Sequence, residues 1–112
     1  MQLDIHTVAL HDRTVVRLEG ELDAYTAPRL VACFDDLLAE GVTDLVVDLG
    51  RVSFIDSTGL GVLVNAYNAA AERDGTVELV ASDPRVVRVL KMTSLDQIFT
   101  VHASLEELGF EV

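Results

Sequence analysis

One stretch constrains the fold of this chain more than any other. It is a short run of valine and leucine, followed by a few polar residues and then by apolar residues with helical spacing. Residues 45–49 are almost wholly apolar and too few for a typical helix, which predicts a strand buried on both faces of a sheet. Four apolar residues then recur with helical spacing: Leu60, Leu63, Val64 and Tyr67. Asp56, Ser57 and Thr58 therefore lie at the carboxyl end of a buried strand, where open α/β sheets collect functional residues.

The N-terminal part of the chain predicts a hairpin and then a helix. Two strands flank a turn at residues 11–13, and so short a connection makes only an antiparallel pair. Three residues of the first strand are expected to face inward: Leu3, Ile5 and Val8. Thr26 and Pro28 predict the start of a helix, with the Thr26 hydroxyl as its cap, and Cys33 on this helix is expected to be a small buried residue.

The rest of the chain alternates strands and helices. The last strand is predicted at residues 98–101, and a capping box of Ser104 and Glu107 predicts a C-terminal helix. Helices between the later strands require crossover connections, which make those strand pairs parallel. We therefore predict one α/β domain over residues 1–112, with a mixed, mostly parallel sheet, an N-terminal antiparallel hairpin and about four helices.

Charge and composition disfavour several classes of function. The net charge is -11, which opposes direct binding to nucleic acid or to an anionic membrane. No apolar run approaches the ~20 residues that span a bilayer, and the N-terminus lacks the features of a secretory signal, so we expect a cytoplasmic protein. With one cysteine and scattered histidines, we expect no metal site and no cofactor.

Ser57 as a catalytic nucleophile is disfavoured. Gly59 matches the second glycine of the G-x-S-x-G elbow of α/β-hydrolases, but Ile55 occupies the first glycine position. The three histidines, His6, His11 and His102, stand in no triad context, so no catalytic residue is expected. Gly59 and Gly61 also make a weak nucleotide-binding signal, which leaves an incidental affinity for phosphate at the helix start open.

Ser57 as the substrate of another enzyme is the interpretation that accounts for the glycines. Gly59 and Gly61 each cost about 1 kcal/mol relative to alanine in a helix interior. Glycine is favoured where another backbone approaches closely, as a docking kinase requires. The structural alternative is that Ser57 or Thr58 is only the N-cap of the helix, which explains the hydroxyls but not the glycines.

Two segments resemble a known family. Residues Asp56-Ser57-Thr58-Gly59-Leu60-Gly61, after a valine-rich strand, resemble the signature of the STAS domain and in particular of bacterial anti-sigma factor antagonists. Gly20-Glu21-Leu22-Asp23, followed by Thr26-Ala27-Pro28, is similar to the other marked segment of that family. The resemblance covers nearly the whole chain, with both segments in the right order.

The resemblance implies a partner switch in transcription regulation and stress response. An anti-sigma factor that is itself a serine kinase phosphorylates the serine at the position of Ser57, and a metal-dependent serine phosphatase removes the phosphate. The unphosphorylated antagonist binds the anti-sigma factor and releases the sigma factor. The partner-binding residues implied by the two segments are Glu21, Asp23, Thr26, Asp56, Thr58, Gly59 and Gly61. A STAS scaffold or sensor module of a stress-signalling complex, which is not an antagonist, remains the alternative.

The charge of a phosphate suggests how such a switch would act. A phosphate on Ser57 would add about -1.5 to -2 charges. The N-terminus of the helix would stabilise that charge by typically about 0.3–1 kcal/mol at an exposed site. Asp56 and Asp23 oppose the phosphate, and Arg51 is the nearest cationic residue in the sequence. We therefore predict that phosphorylation blocks docking through charge and bulk without refolding the domain.

Overall fold

A computed structural model describes residues 2–110, in which five strands form one mixed sheet. The strands, which keep their sequence order across the sheet, are β1 (Leu3–Leu10), β2 (Arg13–Leu22), β3 (Asp44–Ile55), β4 (Thr76–Val80) and β5 (Val101–His102). The helices are α1 (Ala27–Ala39), α2 (Ser57–Ala71) and α3 (Pro84–Met92), and 3₁₀ turns span Leu95–Gln97 and Leu105–Leu108. β1 is antiparallel to β2 and the other neighbouring pairs are parallel, so the predicted fold class and hairpin are confirmed.

The first half of β3, residues 45–49, is covered on both faces, as its apolar run predicts. Leu45, Val47 and Leu49 belong to the main core, which the three α-helices close on one side of the sheet. Val46 faces the opposite side and packs in a smaller cluster with Leu105 of the C-terminal 3₁₀ turn. Nearer the carboxyl end of the strand, Val52 and Ile55 are still buried in the main core, whereas the other face is open and Phe54 is exposed.

The carboxyl ends of β2 and β3 extend beyond the other parallel strands. The last residue of β4, Val80, pairs with Asp48, whereas β2 continues alongside β3 until Leu22 pairs with Ile55. From Asp48 to Ile55 the strand covers roughly 20 Å at ~3.3 Å per residue. The end of β3 therefore stands clear of β4 and β5, next to the start of α1.

Three predictions about secondary structure are wrong in detail. The predicted C-terminal helix is a single 3₁₀ turn, because Gly109 follows it with a left-handed backbone (φ 83°). In the predicted capping box, Glu107 accepts from the amide of Ala103 at 2.9 Å, but Ser104 makes no side-chain cap bond. The last strand is confined to Val101–His102, since residue 98 closes the preceding 3₁₀ turn.

The inward-facing residues of β1 were also only partly predicted. Leu3 is buried and Ile5 packs against the main core, whereas Val8 is 41% exposed. Residues three apart in a strand point to opposite faces, so Val8 cannot share the face of Ile5. On α1, Leu30 and Phe34 are buried, whereas Cys33, predicted to be buried, is only half-buried against the core.

Candidate functional site

Ser57 is the first residue of α2 and lies where β3 ends, in a segment that we call the Ser57 corner (residues 55–59). The side chains of Ser57 and Thr58 are both exposed. The N-cap of α2 is Asp56, which has an extended backbone and accepts the amide of Gly59 on Oδ1 at 2.9 Å. The interpretation of Ser57 or Thr58 as the cap is therefore wrong, and capping does not account for either hydroxyl.

Asp56 also joins the Ser57 corner to the β2–α1 loop (residues 23–26). Its second carboxylate oxygen, Oδ2, accepts the backbone amide of Ala24 at 3.1 Å. Its own backbone amide donates to the carbonyl of Leu22 at 3.2 Å. One side chain thus brings together the two segments that the sequence singles out, although they are more than thirty residues apart in the chain.

Asp23 and Thr26 hold the β2–α1 loop in shape from within. Both are buried, at 5% and 3% exposure. Asp23 Oδ1 accepts the backbone amides of Tyr25 and Thr26, each at 3.0 Å. The Thr26 hydroxyl donates to the carbonyl of Glu21 at 2.8 Å and accepts from the amide of Asp23 at 3.0 Å. The predicted cap of α1 by the Thr26 hydroxyl is therefore wrong, because the loop engages that hydroxyl instead.

Gly20 and Glu21 attach the start of β1 to this end of the sheet. The amide of Glu21 donates to the carbonyl of Gln2 at 2.9 Å, and the Glu21 side chain is half-buried. Gly20 has a positive φ of 122°, and a Cβ there would lie 2.2 Å from the same carbonyl. This glycine of the motif is explained by a local backbone crossing that the sequence pattern does not reveal.

Gly59 and Gly61 differ sharply in their surroundings. Gly59 is buried, and a Cβ there would lie 2.7 Å from Leu22 Cγ and 2.9 Å from the Leu22 carbonyl oxygen. The backbone that approaches Gly59 therefore belongs to β2 of the same chain. Gly61 is exposed, with no atom within 4 Å of its Cβ position, so only this glycine leaves open surface beside Ser57.

The histidines lie far from Ser57. His102 and His6 both lie level with Asp48 of β3. The link to His102 runs through its strand partner Val80, and the link to His6 runs through its strand partner Arg17. Asp48 is roughly 20 Å from the end of β3 by strand rise, and His11 lies at the opposite end of the hairpin. A serine–histidine pair is thus excluded by the register of the sheet.

Metal binding and membrane crossing find no support in the part of the chain that the structure covers. Within residues 2–110, His, Cys, Asp and Glu side chains nowhere gather in a group of three suited to a metal ion. Over the same residues, every helix is too short or too polar to span a bilayer.

Sequence analysis missed two aromatic residues that border the Ser57 corner. Tyr25, in the β2–α1 loop, is 80% exposed, and Phe54, near the end of β3, is 47% exposed. The available signal was that Tyr25 lies between the two halves of one motif and that Phe54 lies two residues before the other. Arg51 is the cationic residue nearest to Ser57 in the sequence. Its Nη1 atom lies 4.0 Å from Oε2 of Glu19, and both side chains are largely exposed.

Comparisons with known proteins agree on one family. The STAS domain model matches residues 4–108. The anti-sigma-B factor antagonist of Staphylococcus epidermidis is 34% identical over 106 residues, which are 95% of this chain and 98% of that protein. The anti-sigma-B factor antagonist of Staphylococcus aureus (strain NCTC 8325 / PS 47) is 32% identical with the same coverage. The crystal structure of an anti-sigma factor antagonist from Mycobacterium paratuberculosis superimposes with a TM-score of 0.88 at 28% identity, over 95% of this chain and 90% of that chain.

Proposed function

Because this chain belongs to the STAS domain family, we propose that it is an anti-sigma factor antagonist, which binds an anti-sigma factor and releases the sigma factor. The observation that carries the proposal is the match to anti-sigma-B factor antagonists over 98% of their length. The exposed Ser57 at the start of α2 is in keeping with it. A regulatory protein of this kind acts by binding, and we assign it no catalytic residue.

We assign Ser57 as the phosphate acceptor. A kinase needs a hydroxyl that can enter its own active site, and the Ser57 side chain is exposed while the adjacent Asp56 performs the capping. Ile55, two residues before Ser57, is buried in the main core and anchors the backbone at this point. We propose that the partner is an anti-sigma factor with serine kinase activity and that a metal-dependent serine phosphatase reverses the modification. In this scheme the protein acts in the cytoplasm, with no direct contact to nucleic acid or membrane.

The seven residues proposed for partner binding fall into two roles. Apart from Asp56, the residues with exposed or half-buried surface are assigned to direct contact: Glu21, Thr58 and Gly61. Residues that hold the two loops in shape are assigned to supporting that surface: Asp23, Thr26, Asp56 and Gly59.

Phosphorylation is expected to oppose docking while the fold persists. The phosphate brings about two negative charges next to Asp56, and unit charges ~4 Å apart repel by about 1 kcal/mol in water and more in a partly buried interface. The contacts that hold the corner are made by Asp56, Leu22 and Ala24, none of which uses the Ser57 hydroxyl. The domain should therefore remain folded when Ser57 is modified.

The test is a phosphorylation assay with purified anti-sigma factors of the source organism, ATP and Mg²⁺, followed by intact-protein mass spectrometry. The wild type and Thr58→Ala, which lacks a contact residue but keeps the acceptor, should each gain one phosphoryl group when the reaction is run to completion. Ser57→Ala should gain none yet still bind the anti-sigma factor, and the phosphorylated wild type should not bind it. If an anti-sigma factor binds the wild type but transfers no phosphate, the scaffold alternative is favoured and the switch is refuted.

A further inference from the structure

The aromatic side chains of this protein divide into packed and exposed residues. The chain has six of them, all within the described residues. Four are wholly or partly packed against the core: Phe34, Tyr67, Phe99 and Phe110. Tyr25 and Phe54 remain 80% and 47% exposed. Large aromatic surfaces left in water are a mark of contact sites, because aromatic residues supply much of the apolar area at protein interfaces.

Both exposed aromatic residues lie beside the Ser57 corner. Phe54 comes two residues before Asp56 in the chain and pairs with Glu21 of β2. Tyr25 follows Ala24, whose amide is bound by the Asp56 carboxylate at 3.1 Å. The Tyr25 amide donates to the buried Asp23 at 3.0 Å, so the loop backbone is held in place while the ring stays in solvent. Each ring is therefore carried by backbone that is already held in place, Tyr25 by the loop hydrogen bonds and Phe54 by its pairing with Glu21.

We propose that Tyr25 and Phe54 are the apolar anchors with which the unphosphorylated protein binds its anti-sigma factor. The inference rests on the proposed function and adds the residues that supply binding energy. Two half-buried acids lie next to the anchors in a chain of net charge -11: Glu21 pairs with Phe54, and Asp56 accepts the amide of Ala24 beside Tyr25. The complementary partner surface has apolar pockets for two rings and a cationic rim. A hydrated phosphate on Ser57 would keep water beside the anchors and so prevent their burial.

The chain offers a matched control pair at the other end of the sheet. Met92 is 77% exposed and Ile98 is 47% exposed, nearly the same values as Tyr25 and Phe54. α3 begins beyond the carboxyl end of β4 and runs back to Met92, and Ile98 comes shortly before the start of β5. These residues are as apolar and as accessible as the proposed anchors but lie far from Ser57.

The test measures the dissociation constant for the purified anti-sigma factor that phosphorylates Ser57. All variants carry Ser57→Ala, so that none becomes modified. Tyr25→Ala should weaken binding about tenfold or more and Phe54→Ala several-fold, as truncated aromatic hot spots do. Met92→Ala and Ile98→Ala should stay within about twofold of the parent. Because Phe54 lies in β3, Phe54→Thr provides a second variant that keeps strand preference, and thermal unfolding checks each fold.

The outcomes separate this inference from the function on which it rests. If the parent binds its anti-sigma factor and the Tyr25 and Phe54 variants bind as tightly as the controls, the anchors are refuted and the antagonist function stands. If the parent binds no anti-sigma factor of the source organism, the antagonist function fails and the inference fails with it.

Discussion

Alanine at Gly59 and alanine at Gly61 should change the stability of this protein in opposite directions, although both glycines lie in the first two turns of α2. A Cβ at Gly61 meets no atom within 4 Å. A Cβ at Gly59 lies 2.7 Å from Leu22 Cγ and 2.9 Å from the Leu22 carbonyl oxygen. Leu22 is fully buried, so its side chain cannot turn into solvent to make room.

The magnitudes follow from helix preference and from packing. Alanine is better than glycine in a helix interior by about 1 kcal/mol, and Gly61→Ala should gain about 0.5–1 kcal/mol of stability. Gly59→Ala has the same preference in its favour, but adding a methyl group to a filled core costs typically 1–3 kcal/mol. We expect a net loss of about 1 kcal/mol at Gly59, so the two variants should differ by about 2 kcal/mol.

Urea unfolding followed by circular dichroism measures this difference. Small domains lose about 1–3 kcal/mol of unfolding free energy per molar urea, so the two midpoints should lie about 1 M apart. A Gly59→Ala variant as stable as the wild type would refute the reasoning, because it would mean that β2 yields easily at Leu22. The assignment of Gly59 as an internal packing residue would then be withdrawn.

Three further predictions concern single side chains. Asp56→Ala should lose about 1–2 kcal/mol in the same unfolding assay, whereas Asp56→Asn should retain most of the cap. Hydrogen bonds from the side chain and backbone of Arg85 lower the pKa of Asp83 to about 2, below its unfolded value of 3.8. The stability that these hydrogen bonds contribute is therefore present above pH 3.8 and is lost as the pH falls towards 2. Carboxyl NMR titration should find the pKa of Asp83 raised towards 3.8 in Arg85→Ala. Burial, with a smaller effect of Asp36, raises the pKa of the Cys33 thiol, so alkylation at about pH 8 should be slow and should accelerate in Asp36→Asn.

The parts of the fold that could be predicted are those encoded by local periodicity. The run at residues 45–49 and the stripe through Leu60 and Leu63 each contain enough repeats to identify a strand and a helix. The 3₁₀ turn at Leu105–Leu108 was mistaken for a helix because a single turn with acidic residues has the same local pattern as the start of a longer helix.

The details of the site depended on contacts that are distant in sequence. Asp56, Ser57 and Thr58 are all good N-cap residues, so local preference does not choose among them. Asp56 alone accepts a second hydrogen bond, from the amide of Ala24. Ala24 lies in the β2–α1 loop, which α1 and β3 separate from Asp56 along the chain. Helix preference likewise shows that Gly59 is unfavourable but not that Leu22 is the group that requires it.

The bond between Asp56 and Ala24 has a consequence for when the hydroxyl of Ser57 becomes available. The geometry of the corner depends on two segments that the pairing of β2 with β3 brings side by side. We expect a synthetic peptide of residues 50–63 to be a poor kinase substrate, because it lacks the loop that orients the serine. An incompletely folded or misfolded chain would be an equally poor substrate. Phosphorylation of Ser57 would therefore be limited to chains that have completed their tertiary structure.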